Sequence, residues 1–149
     1  MTPDVNVLVA ASRTDHTHHA CASQWLTQAL LECATPSGKS PPLQLMGTVM
    51  ASYLRLVTHP KIFVNPTPIS LALAFANAVL ASPGVAWLPT GTEWGVMQRL
   101  CNDLALSGND IPDAWIAAST LTHDEVLVTF DRDFAQLLPP ANLMLLPTR

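Results

Sequence analysis

Charge is scarce in this chain: Asp, Glu, Lys and Arg make up only 12% of its 149 residues, against 49% apolar residues. So apolar a composition excludes a disordered tail and fits a well-buried globular fold, with apolar surface to spare for a partner. The balance of charge is acidic, net −4. It gives no broad basic footprint of the kind many nucleic-acid binders carry, so any such activity needs local geometry, a metal or a second subunit. Cysteine is sparse as well. Cys21, Cys33 and Cys101 lie far apart without CxxC spacing, which suits reduced thiols in the cytoplasm better than a disulfide frame. No long hydrophobic run is present: the stretch ISLALAFANAVLA, Ile69 to Ala81, contains Asn77 and falls short of the roughly 20 residues of a spanning helix. A core helix is expected there, and no membrane association. The opening MTPDVNVLVAASR lacks a basic leader and carries an acid, unlike a signal peptide, so the expected location is cytoplasmic. P-loop, GxSxG and Rossmann glycine patterns are also missing, which leaves nucleotide hydrolysis and serine chemistry without support. With no internal repeat and no linker-like tract, residues 1–149 are expected to form a single domain.

What is present alternates. Val5 to Ala10, rich in valine, has the apolar run of a buried parallel strand. From His16 to Ala34, Ala22, Trp25, Leu26, Ala29, Leu30 and Cys33 recur at helical spacing, with Thr14 or Asp15 as the cap. TPSGKSPP then makes a loop. Leu43 to Leu45 reads as a short strand and Thr48 to Thr58 as a helix that stops before His59-Pro60. Thr67-Pro68 opens a helix to about Ala81. Val85 to Leu88 is a strand, and Thr90 or Thr92 opens a helix through about Leu106 that Gly108 terminates. Pro112 starts the next helix, which leads into the strand EVLVTF, and ANLMLL supplies a last strand. Strands separated by helices imply parallel pairing through crossovers: an α/β, three-layer αβα sandwich around a mostly parallel sheet of about four or five strands.

Ligands of an open parallel sheet gather at the carboxyl ends of its strands. Asp131 stands at such an end. Asp4 and Asn6, two apart on the expected first strand, share a face of it. Asp113 lies in the first turn of its helix, where the dipole favours a carboxylate. Each has an ordinary reading: Asp113 as a dipole-stabilised helix start, Asp131 as the N-cap of a short helix through Asp133, Phe134 and Leu137. Asp4 is harder to explain that way, because a carboxylate buried beside an apolar strand needs a metal, a cation or donors. Acids so gathered repel one another and attract a hard cation such as Mg²⁺. A cation there lowers the pKa of bound water and stabilises charge on a phosphate oxygen, the needs of phosphodiester hydrolysis.

The strings PDVNVLVAA (Asp4, Asn6), LRLVTHP (Arg55, Thr58), NDIPDAWIAA (Asp113) and VTFDRDF (Asp131, Asp133) resemble, in order and separation, the signatures of PIN-domain ribonucleases, specifically VapC-type toxins of bacterial toxin–antitoxin pairs. The resemblance spans nearly the whole chain. It implies a PIN-like fold and an endoribonuclease that uses Mg²⁺ or Mn²⁺ to cut structured RNA such as transfer RNA by metal-activated water. It also implies a homodimer held inactive by a VapB-type antitoxin. Carried over, Asp4, Asp113 and Asp131 are the metal-binding acids, Asp133 joins them in catalysis, and Asn6, Ser52 and Arg55 support. At Ser52 the family usually has glutamate, so the site is one carboxylate short. That substitution frames the alternative expectation, a catalytically weakened PIN-like module that binds RNA or an antitoxin.

Other features are read more plainly. His16, His18 and His19 lack further ligands at zinc spacing and sit at a helix start. Arg13 and Arg132 are candidates for phosphate contact. Trp25, Trp87, Trp94 and Trp115 are expected to be core or interface anchors rather than base-stacking platforms.

Overall fold

The computed structural model describes residues 1–35 and 42–148. The first strand is shorter and earlier than the valine run predicts: β1 is Thr2–Pro3, and Val5–Ser12 is helix α1. Two facts reconcile the apolar run with a helix. Val7 to Ala11 are all buried, so the helix has no polar stripe, and a fully buried helix and a fully buried strand look alike in sequence. Asp4 decides between them, because its side chain accepts from the Val5 N–H as an N-cap and starts a helix.

The remaining elements follow the expected alternation. They are α2 (His19–Cys33), β2 (Leu43–Leu45), α3 (Gly47–Val57), α4 (Ile69–Leu80), β3 (Val85–Trp87), α5 (Trp94–Asp103), α6 (Asp110–Thr122), β4 (Leu127–Thr129) and β5 (Leu143–Leu145). The α2 helix starts later than the spacing predicts and without a side-chain cap bond. Most of the TPSGKSPP loop lies outside the described residues. All ladders are parallel, in the orders β1-β4-β5 and β2-β3. The Gln44 N–H donates to the Met1 carbonyl at 2.8 Å, bringing β2 beside β1 and continuing the sheet.

The main core gathers Val7, Leu8, Leu43, Leu45, Val49, Tyr53, Val57 and Leu127, each no more than 1% exposed. Each such side chain contributes roughly 1.5–3 kcal/mol by leaving water. A smaller cluster of Met97, Ala114 and Ala118 packs α5 on α6. Between those helices the chain turns through left-handed conformations at Ala105 (φ 50°) and Gly108 (φ 56°). The glycine takes this freely, whereas alanine does so at some cost.

Arg13 ties α1 to the segment before α4. It is 7% exposed, and its guanidinium forks onto Asp15 (Nε–Oδ1 3.0 Å, Nη2–Oδ2 2.6 Å) and donates to Thr67 Oγ1 and the Asn65 carbonyl. Its carbon lies 3.8 Å from the Phe63 ring centre. An arginine so enclosed is a structural clasp, which corrects its expected role in phosphate contact. Two of the tryptophans also depart from burial: Trp87 on edge strand β3 and Trp94 are 52% and 60% exposed.

Candidate active site

The β1–β4 pairing builds the site. Thr2 pairs with Leu127 and Pro3 with Val128, and the Asp4 N–H donates to the Val128 carbonyl at 2.9 Å. The next residue on each strand is therefore Asp4 opposite Thr129, at the carboxyl ends of both. Thr129 Oγ1 donates to Asp4 Oδ2 at 2.7 Å and accepts from Asn6 Nδ2 (2.8 Å) and the Asp131 N–H (3.0 Å). One donated and two accepted bonds exhaust a hydroxyl. Asn6 Oδ1 in turn accepts from the Phe130 N–H at 3.3 Å. Asp4 and Asn6 do not share a strand face as predicted; they flank the start of α1 and meet through Thr129.

Asp131 is the N-cap of a short 3₁₀ helix, Arg132–Gln136, its Oδ1 accepting from the Asp133 N–H at 2.9 Å. Capping engages one carboxylate oxygen and leaves the second available. Asp113 lies half-buried in the first turn of α6 together with Asp110. These acids feel one another. Burial, opposed by the bonds from Thr129 and Val5 and reinforced by the charges of Asp113 and Asp131, pushes the Asp4 carboxyl up to about 6. Asp113 is raised by burial and then by Asp131, Asp110 and Asp133. The charges of Asp113 and Asp131 thus reach Asp4, and those of Asp131, Asp110 and Asp133 reach Asp113.

Ser52, half-buried on α3, and Arg55, exposed in its last turn, make no hydrogen bond or ion pair with these acids among the described residues. The histidines pack: His18 stacks on Phe130 with centroids 4.7 Å apart, and His19 Nδ1 is 2.9 Å from the Ala10 carbonyl. Thr129 is the residue that sequence reasoning missed. Its signal was its position two before Asp131 on a strand, hence on the same face.

Among the described residues no group of three or more His, Cys, Asp or Glu side chains is gathered so as to hold a metal ion. Mg²⁺ does not require such a cage, since it keeps several waters and takes one or two carboxylates. The donors are hard oxygens, and no cationic side chain is among the groups that shift Asp4 or Asp113. Charge left uncompensated in this way fits a hard divalent cation that takes one or two of these carboxylates and keeps its waters.

The buried Asp4 makes stability depend on pH. Its folded pKa, about 6, exceeds the ordinary 3.8, so the native state binds the proton more tightly than the unfolded chain. That stabilisation is full below the ordinary value and is lost as pH rises through the folded one. In chelator, the protein should be more stable, and melt higher, at about pH 5 than at about pH 8, by roughly 1.4 kcal/mol from Asp4. Melting curves across pH check this. An equally steep fall in Asp4→Asn would exclude Asp4 as its source.

Comparison with known proteins agrees with this fold. The PIN domain family model matches residues 1–137. Ribonuclease VapC31 of Mycobacterium tuberculosis is 38% identical over 136 residues, which cover 89% of each chain. Ribonuclease VapC43 of the same species is 36% identical, covering 89% of this chain and 86% of that one. Among solved structures, VapBC2 from Rickettsia felis, bound to a DNA fragment from their promoter, superposes with TM-score 0.65 at 16% identity, covering 98% of both chains. Mycobacterium tuberculosis VapC20, described as a Sarcin-Ricin loop cleaving toxin, gives TM-score 0.58 at 14% identity, covering 90% of this chain and 92% of that one. The chain therefore belongs to the PIN-domain family, and within it to the VapC ribonucleases. No helix among the described residues is long and apolar enough to cross a membrane.

Proposed function

We propose that this chain is a metal-dependent endoribonuclease, the toxin of a toxin–antitoxin pair, acting on structured RNA such as transfer RNA. The observation that carries the reading is Asp4, tied to Thr129, its carboxyl raised by burial and then by the charges of Asp113 and Asp131, with no cation among them. Relatives named as ribonucleases support it.

In this reading Asp4, Asp113 and Asp131 hold Mg²⁺ or Mn²⁺. Bound there, the cation supplies positive charge against the phosphate oxygens and lowers the pKa of a water. Thr129 and Asn6 fix the orientation of Asp4 and of the backbone at Phe130 and Asp131. Asp133, exposed beside the group, has room to take up a proton. Arg132, exposed between Asp131 and Asp133, supplies a cation for the RNA backbone. Apolar side chains exposed on α4, among them Ile69 (55%) and Leu71 (61%), fit a protein partner, in this reading a second copy or a VapB-type antitoxin.

The second reading, a binding module with weakened catalysis, draws on Ser52, where a hydroxyl supplies no charge, and on the lack of a closed cage of ligands among the described residues. One experiment separates the two. Purified protein incubated with transfer RNA should cleave it with Mg²⁺ or Mn²⁺ and stop in excess chelator. Binding without cleavage at any metal concentration would favour the module, and cleavage undiminished by chelator would remove the metal from the mechanism.

A further inference from the structure

Beside Asp113 a cleft of about 320 Å³ opens between the turn that joins α5 to α6 and the 3₁₀ helix after β4. Leu104 and Leu106 form one side, Phe134 and Leu137 another, and Asp110, Asp133 and Gln136 bring polar groups to it. Leu104 is 44% exposed, an apolar side chain left uncovered at the mouth of a cavity. Asp113 belongs both to this lining and to the acid group, so whatever fills the cleft lies next to the reacting phosphate.

We propose that this cleft receives a guanine base of the RNA strand being cut, its faces against the leucines and its donor edge on Asp110. The inference rests on the ribonuclease reading and deepens it. A nucleobase has two apolar faces and one polar edge, which is the division this lining offers. An ionised carboxylate only accepts hydrogen bonds, so the edge it reads must donate. Guanine presents its ring N1–H and its 2-amino group side by side, matching both oxygens of one carboxylate. Adenine and cytosine present a single amino group beside a ring acceptor. Uracil sets its one N–H between two carbonyls, which face the carboxylate unfavourably. The Asp110 carboxylate has room for this contact, because the residue is exposed and, among the described residues, the one hydrogen bond its carboxylate accepts is a long one, 3.4 Å, from the Ser107 N–H.

The test uses the full chain with Mg²⁺ and short single-stranded RNAs that differ in one base beside the cut. Guanine is expected to give kcat/KM higher than uracil by about tenfold or more, the discrimination of a bidentate base contact. Inosine, which lacks the 2-amino group, should lose most of that preference. Asp110→Asn should reduce the preference to about threefold or less with an unchanged melting temperature. Leu106→Ala is the second variant and should weaken KM for the guanine RNA more than for the uracil RNA. Cleavage without base preference, or a preference untouched by Asp110→Asn and by inosine, overturns the assignment and leaves the ribonuclease reading standing. Failure to cleave any RNA overturns both.

Discussion

Asp113→Asn is expected to lower RNA cleavage by roughly a hundred- to a thousandfold, the range for removing one group that stabilises developing charge, while the fold is kept or slightly stabilised. The substitution is isosteric and half-exposed, so packing of α6 is preserved. Asp113 is raised by burial and by Asp131, Asp110 and Asp133, which means its charge is held against repulsion. Neutralising it relieves that repulsion in the protein without a cation and removes a ligand in the protein that has one. The two consequences are opposite in sign, and this distinguishes a working acid from a structural one. Melting temperature in chelator should stay level or rise, the gain from added Mg²⁺ should shrink, and single-turnover cleavage should collapse. A variant that cleaves within about threefold of the parent, against the loss expected of such a group, would take Asp113 out of the site.

How far the sequence showed this site depended on what each residue had to do locally. Asp113 and Asp131 were legible because helix starts and strand ends are marked by turn and cap chemistry, and the alternation of elements then places both at one edge of a parallel sheet. The capping role of Asp131 does not compete with the site, since the bond from the Asp133 N–H uses one of its oxygens and leaves the other. The opening run was misread because burial is complete from Val7 to Ala11. A helix with no exposed face carries no 3.6-residue stripe, so only the cap at Asp4 could reveal it. The sheet itself survived that error, since β1 still precedes Asp4 and still pairs with β4. Glu93 went unnoticed for a related reason. It is fully buried before α5, its Oε2 accepting from the Gly91 N–H at 2.6 Å, and nothing in a lone glutamate near a helix start signals that its side chain turns inward.

Thr129 was hidden differently, since a threonine in a strand is ordinary by propensity, yet its removal is expected to damage both the stability of the fold and the site. Thr129→Val keeps the shape and deletes the hydroxyl. Asp4 Oδ2 then loses its donor, and Asn6 Nδ2 and the Asp131 N–H lose their acceptor, all around a residue that is fully buried. An unsatisfied buried polar group costs about 1–3 kcal/mol. With three groups affected and some relaxation, a loss of roughly 2–4 kcal/mol of stability is expected. Catalysis should suffer separately. The Thr129 bond is the first of the influences that hold the Asp4 pKa down against burial, so without it the carboxyl rises above about 6, and the pH at which cleavage becomes half-maximal should move upward. Thr129→Ser tests the assignment because it returns the hydroxyl and removes only a methyl, at a packing cost of about 1 kcal/mol. Ser should restore the pH profile and most of kcat while remaining slightly less stable than the parent. If Ser fares as badly as Val, the methyl rather than the hydroxyl is what matters at this position. If Val retains the parent's pH profile and melting temperature, Thr129 does not hold Asp4 for the reaction.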